Sequence, residues 1–90
     1  MNFQEYDLGL VPSGKTVEVK LSNSAIVRIM NKANYIEYSL GYDHQFIGGY
    51  IKDSVYRAVI PNTEHWFVVV DLGGYCGNII SSARVLPDAD

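Results

Sequence analysis

Residues 9–22 read "GLVPSGKTVEVKLS", and whether a helix or a strand follows Lys15 decides the fold class. Gly9 to Thr16 fits G-x-x-x-x-G-K-[ST], the phosphate-binding loop of nucleoside triphosphatases. "FVVVD" at 67–71 even resembles the apolar strand ending in an acid that positions magnesium in those enzymes. A phosphate loop works because a helix begins at its Lys-Ser/Thr and aims free N–H groups and its dipole at the anion. Here Lys15 is followed by Thr-Val-Glu-Val-Lys-Leu, with apolar Val17, Val19 and Leu21 alternating against Glu18 and Lys20. That is period two, a strand with one face in water. Pro12 also deletes one amide from the loop. The sequence therefore predicts a β protein, not a nucleotide-binding α/β fold.

Working outward, the same rhythm recurs. "AIVRIMN" at 25–31 follows the polar break Ser22-Asn23-Ser24 and reads as an antiparallel partner of the 15–22 strand. "SVYRAVIP" at 54–61 and "HWFVVVDL" at 65–72 are apolar on both faces, which places "WFVVV" at the centre of a sheet. Trp66, Val68 and Val70 should share one face, with Phe67 and Val69 on the other. "GNIISSARVL" at 77–86 closes the series, and "NFQEYDLGL" reads as a short strand at an edge. Pro12-Ser13-Gly14, Pro61-Asn62 and Gly73-Gly74 supply turns between the runs. One stretch differs: Asn34 with Glu37 three residues later resembles a capping box, and Gly41 suits a helix end, so a short helix is expected near 34–41. The predicted fold is mainly all-β: a single antiparallel β-sandwich or flattened barrel over 1–90, with 87–90 a frayed tail.

The composition narrows the function classes. The 90 residues are 48% hydrophobic and 19% charged, enough apolar content for one core. Seven Lys+Arg against ten Asp+Glu, with no basic run, lack the electrostatic footprint of nucleic-acid binding. The longest apolar run, "WFVVV", is far short of the ~20 residues that span a bilayer. A single cysteine and no signal-like start lead to the expectation of a cytoplasmic protein.

Catalytic constellations are thin. Cys76 with His44 or His65 and Asp71 can be written as a triad, but no local signature marks a nucleophile, and a lone Cys is usually a small buried hydrophobe. His44 and His65 lack the close ligand pairing of metal motifs, so neither a metal nor another cofactor is expected. More informative is "DHQFIGGYI" at 43–51, where Tyr42, His44, Phe46 and Tyr50 surround Gly48-Gly49, read as a turn. Tyr35 and Tyr38 lie just upstream. Such a cluster either packs one end of a small sandwich or forms a cleft for a planar or sugar-like ligand.

Five stretches together resemble a known pattern. They are "NFQEYDLG", "G-x-x-VEV-x-L", "VRIMN-x-x-NY-x-x-Y", "HQFIGGY" and "HW-x-VVVDLGGY-x-G", spread over residues 2 to 86. They resemble the bacterial family of small domains called domain of unknown function 1883. The Lys-Thr of "PSGKT" lies outside the shared pattern. The resemblance implies a domain that stands alone or is fused to TIR domains, in a signalling or phage-defence setting. No activity belongs to that family, so it carries over no catalytic residue.

The expectation is a non-enzymatic recognition module for a small ligand or a protein partner. Tyr42, His44, Gln45, Tyr50 and His65 are its candidate binding residues, combining ring area with neutral donors and acceptors. The alternative is a self-associating module forming a homodimer through an edge strand. A small hydrolase is the third class, and the chain shows no nucleophile with its base.

Overall fold

The computed structural model describes residues 3–72 and 79–87. The chain runs β1 (Phe3–Val11), β2 (Thr16–Leu21), β3 (Ala25–Asn31), α1 (Lys32–Ser39), β4 (Ile47–Ile51), β5 (Val55–Val59), β6 (Glu64–Asp71) and β7 (Ser81–Val85). The strands form two antiparallel sheets, ordered β1-β6-β3-β4 and β5-β2-β7. Their inner faces share one core: Val27, Ile29, Trp66, Val68 and Val70 from the first meet Val17, Val19 and Leu21 from the second. Each such fully buried side chain contributes roughly 1.5–3 kcal/mol of transfer free energy. This is a β-sandwich with one helix, as the alternating pattern predicts. Cys76, the Gly73-Gly74 turn and the tail beyond Pro87 lie outside the described residues.

The segment after Lys15 is the strand β2, and three amides of the loop before it are already bonded within the fold. Gly14 N–H donates to the Ile60 carbonyl, Lys15 N–H to that of Pro12, and Ser13 N–H to the Thr63 hydroxyl. A phosphate would find these donors occupied by the turn itself. On the outer face of its sheet, Glu18 sits opposite Arg57 and Arg84 on the flanking strands. Its carboxylate is buried at 3% exposure and accepts from Arg57 at 2.8 and 2.9 Å and Arg84 at 3.1 Å. The Arg57 hydrogen bond, with Arg84 behind it, holds this carboxyl below its ordinary value against the opposing effect of burial.

Two expectations about the strands need correction. β2 and β3 do not pair; the chain crosses from one sheet to the other at Ser22-Asn23-Ser24. Ser22 is held to β7 instead, its N–H donating to Ile80 O and its hydroxyl accepting from Ile80 N–H. Second, Gly48-Gly49 is not a turn but part of strand β4, with φ of +123° and +139°. Glycine alone adopts this mirror-image extended backbone readily, so an edge strand forms where alternation is invisible. β5 is an edge strand of the second sheet, with Val55 and Val59 exposed.

The helix exists two residues earlier than its sequence signal. Asn31, not Asn34, is the N-cap: its side-chain oxygen accepts from Asn34 N–H at 2.9 Å. At the other end Gly41 takes φ +82°, with Tyr42 N–H donating to Glu37 O and Gly41 N–H to Tyr38 O. This double bond pattern is a Schellman stop, and it turns the chain back toward β4.

Candidate functional site

β6 carries both faces of the problem. Trp66, Val68 and Val70 enter the core, as predicted, while Val69 and Met30 are buried on the opposite side, across which α1 lies. On that outer side Tyr35 of α1 stacks on Phe67 at 4.1 Å, and His65 stacks on the same ring at 4.8 Å. The polar tips of this column are occupied. Tyr35 hydroxyl donates to Glu5 at 2.7 Å, and that bond, aided by burial, pushes its pKa up to about 12. His65 Nε2 meets Asp7 Oδ1 at 2.5 Å. The Gly9 N–H, donating to the same carboxylate, is the larger cause of its lowered pKa, with His65 next. His65 is thus part of a tethered stack, not of a ligand cluster.

The rings of "DHQF" pack over Arg28. Its guanidinium carbon lies 5.2 Å from the Tyr38 centroid and 5.4 Å from that of Phe46, within cation–π reach. Asp71 is 3.6 Å away on the neighbouring strand. His44 closes the group edge-on to Tyr38 at 5.0 Å, with Nδ1 3.1 Å from the Tyr42 carbonyl and Nε2 buried. Among the described residues His44 Nε2 has no hydrogen-bond partner. Tyr42 and Tyr50 stand exposed, Tyr50 on β4 in register with Ile26 of β3. The five candidates do not converge on one site.

One of them does reach a cavity. At the end of the first sheet where β3 stops, β4 starts and the β5–β6 turn passes, there is a pocket of about 200 Å³. Ile29, Ile47 and Trp66 make its floor, and Phe46 and Pro61 its walls. Its polar lining is carboxamide throughout: Asn31, Asn34, Gln45 and Asn62. Two of these are consumed locally. Asn31 accepts both the N–H and the side-chain amide of Asn34 at 2.9 Å and donates to Glu64 at 3.2 Å, while Asn34 oxygen accepts Gln45 N–H at 2.9 Å. The other two are fixed through their backbones, Gln45 by that N–H and Asn62 by its carbonyl, which accepts from the Trp66 indole at 3.0 Å. Their side-chain amides make no hydrogen bond among the described residues.

None of the lining groups is ionisable, so the pocket offers neutral donors and acceptors over an apolar floor. The sequence reads Asn34 as a cap and Trp66 as core, and none of Asn31, Asn34, Asn62 and Trp66 as a pocket residue. The usable signal was an asparagine at the end of β3 and another in the turn just before Trp66. Among the described residues, no group of His, Cys, Asp and Glu is placed to hold a metal, and no helix is long and apolar enough to cross a membrane.

Fold and pocket together define a small β-sandwich domain with a pocket at one end. The chain belongs to the family described as Domain of unknown function (DUF1883), which it matches over residues 1–89. No curated protein and no solved structure gives a significant match.

Proposed function

We propose that this domain is a non-catalytic recognition module that holds an uncharged small ligand in the carboxamide-rimmed pocket. The bacterial, cytoplasmic signalling or defence setting suggested by the family resemblance is its proposed context. The observation that carries the reading is the pairing of an apolar floor with two unspent side-chain amides, Gln45 and Asn62, on fixed backbones. Such a pocket combines desolvation with a few orienting polar groups, the common form of a small-molecule site. Catalysis would need a nucleophile or a titrating acid in the lining, and the lining has neither.

The single tryptophan gives the test a clean reporter. Its indole N–H is bonded to Asn62 at the pocket floor. Screening neutral metabolites by nitrogen–proton NMR should produce shifts focused on the Trp66 indole and the Gln45 and Asn62 amides. Shifts confined to Tyr42, Tyr50 or His65 would refute this pocket and restore the outer aromatic surface as the site.

β5 favours a second reading, self-association. It is the edge of its sheet and displays Val59 at 62% and Val55 at 40% exposure. These two valines flank Arg57 on the same face, and an edge strand with exposed apolar residues can pair with a second copy. Sedimentation of the wild-type chain and of Val59→Lys decides it: a concentration-dependent dimer lost in the variant supports it, and a monomer in both refutes it.

A further inference from the structure

We propose that the ligand is an uncharged planar heterocycle carrying a donor and an acceptor side by side on one edge, as on a purine or pyrimidine base. This rests on the recognition reading above and specifies what that pocket reads. About 200 Å³ lies below the roughly 300–1,000 Å³ of pockets that enclose drug-sized ligands, so one ring system fits and an extended molecule does not.

The rim then sets the chemistry. A carboxamide displays one acceptor oxygen and one donor NH₂ in a single plane. It complements a rigid donor–acceptor pair, which is how Asn and Gln read the edge of adenine. Gln45 and Asn62 are free to do this because Asn31 and Asn34 spend their own amides on each other, on Glu64 and on the Gln45 backbone. Hydroxyls of a sugar rotate and need no coplanar pair, so this rim gives them no advantage.

The walls supply the faces. Phe46 lines the pocket and is 43% exposed overall, with the Arg28 guanidinium 5.4 Å from its centroid. A planar ligand gains stacking area there without sequence-like selectivity, since every base has a π-face. Charge is excluded by the same inventory. No cation lines the pocket, so a phosphate entering it would lose hydration without an ionic partner. A phosphate group must therefore remain outside and add nothing to binding.

The experiment titrates the full chain with adenosine, guanosine, cytidine and uridine, their 5′-monophosphates, and methyl glucoside and N-acetylglucosamine. Binding is read by NMR at the Trp66 indole and the Gln45 and Asn62 amides, and by calorimetry. At least one nucleoside should bind, with its monophosphate no tighter. Gln45→Ala and Asn62→Ala should each weaken it by about tenfold, the value of one well-placed hydrogen bond. Melting temperature should stay unchanged, because both anchoring bonds are made by backbone atoms. If a sugar moves these signals and the nucleosides are silent, the ligand class is wrong while the recognition reading stands. A monophosphate binding far more tightly than its nucleoside also overturns the class. If no compound of either kind moves the signals, both the class and the recognition reading fall.

Discussion

Replacing Gly48 with alanine should damage the fold far more than the same change one residue on. Both glycines of β4 sit at φ values that L residues rarely adopt, +123° and +139°. Holding alanine in such a region costs roughly 1–3 kcal/mol. They differ in what a Cβ would meet. At Gly49 nothing lies within 4 Å, whereas at Gly48 the added carbon would sit 2.3 Å from the Val27 carbonyl oxygen and 3.2 Å from its carbon. Those are backbone atoms of β3, a buried strand between β4 and β6, and cannot swing aside as a side chain can. The clash must be relieved by parting β4 from β3. Gly49→Ala should therefore cost about 1–3 kcal/mol, and Gly48→Ala about 3 kcal/mol or more beyond strain alone. In a domain this small, 1 kcal/mol moves the melting temperature by about 4–8 °C. The two variants should then melt at least about 10 °C apart, with Gly48→Ala lower. Urea titration followed by Trp66 fluorescence, with comparable slopes for all three proteins, measures the difference. Equal losses in the two variants would refute the close-approach argument and leave only backbone strain.

Trp66→Ala empties a residue that is 4% exposed and should cost about 3–5 kcal/mol; an unchanged urea midpoint would contradict its place in the core. Asp7 and Glu18 have folded pKa values below their ordinary ones, so their stabilisation is present above those ordinary values and lost as pH falls through the folded ones. Asp7→Asn should flatten the fall in unfolding free energy between about pH 5 and pH 2, and an identical slope would sink the assignment. Tyr35 is raised to about 12, so its contribution is complete below the ordinary tyrosine value of 10.0 and disappears as pH climbs toward 12. Tyr35→Phe should remove that part of the alkaline transition, measured by circular dichroism against pH.

Alternation exposed most of the strands because their inward sets are regular: Val17, Val19 and Leu21 in β2, Val27 and Ile29 in β3. It failed at β4, where two glycines carry no side chain to alternate. Partner choice was also hidden. Nothing in the short Ser22-Asn23-Ser24 break distinguishes a hairpin from a crossing between sheets; the Ile80 bonds that fix it come from the far end of the chain. The helix start was misread because Asn31 and Asn34 are equally good caps, and the tie is resolved by Asn31 also ending the β3 ladder opposite Trp66. The aromatic cluster at 42–50 was legible as a cluster, but not the packing of Tyr38 and Phe46 over Arg28. The pocket was not legible at all, since Asn31, Gln45 and Asn62 meet only through the tertiary fold.

The strand order also governs how this chain must be made. Among the described residues β3 and β4 are the only sequence-adjacent strands that pair. β1 waits for β6, and β2 waits for β5 and β7. During synthesis the Val17-Val19-Leu21 row therefore leaves the ribosome well before either hydrogen-bonding neighbour exists. Pairing across such separations pays loop-closure entropy before contacts reward it, which favours folding in milliseconds to seconds over microseconds. For the nascent chain, the charged residues between those apolar ones, Glu18 and Lys20, protect a lone strand from premature association until Arg57 and Arg84 arrive to claim the carboxylate.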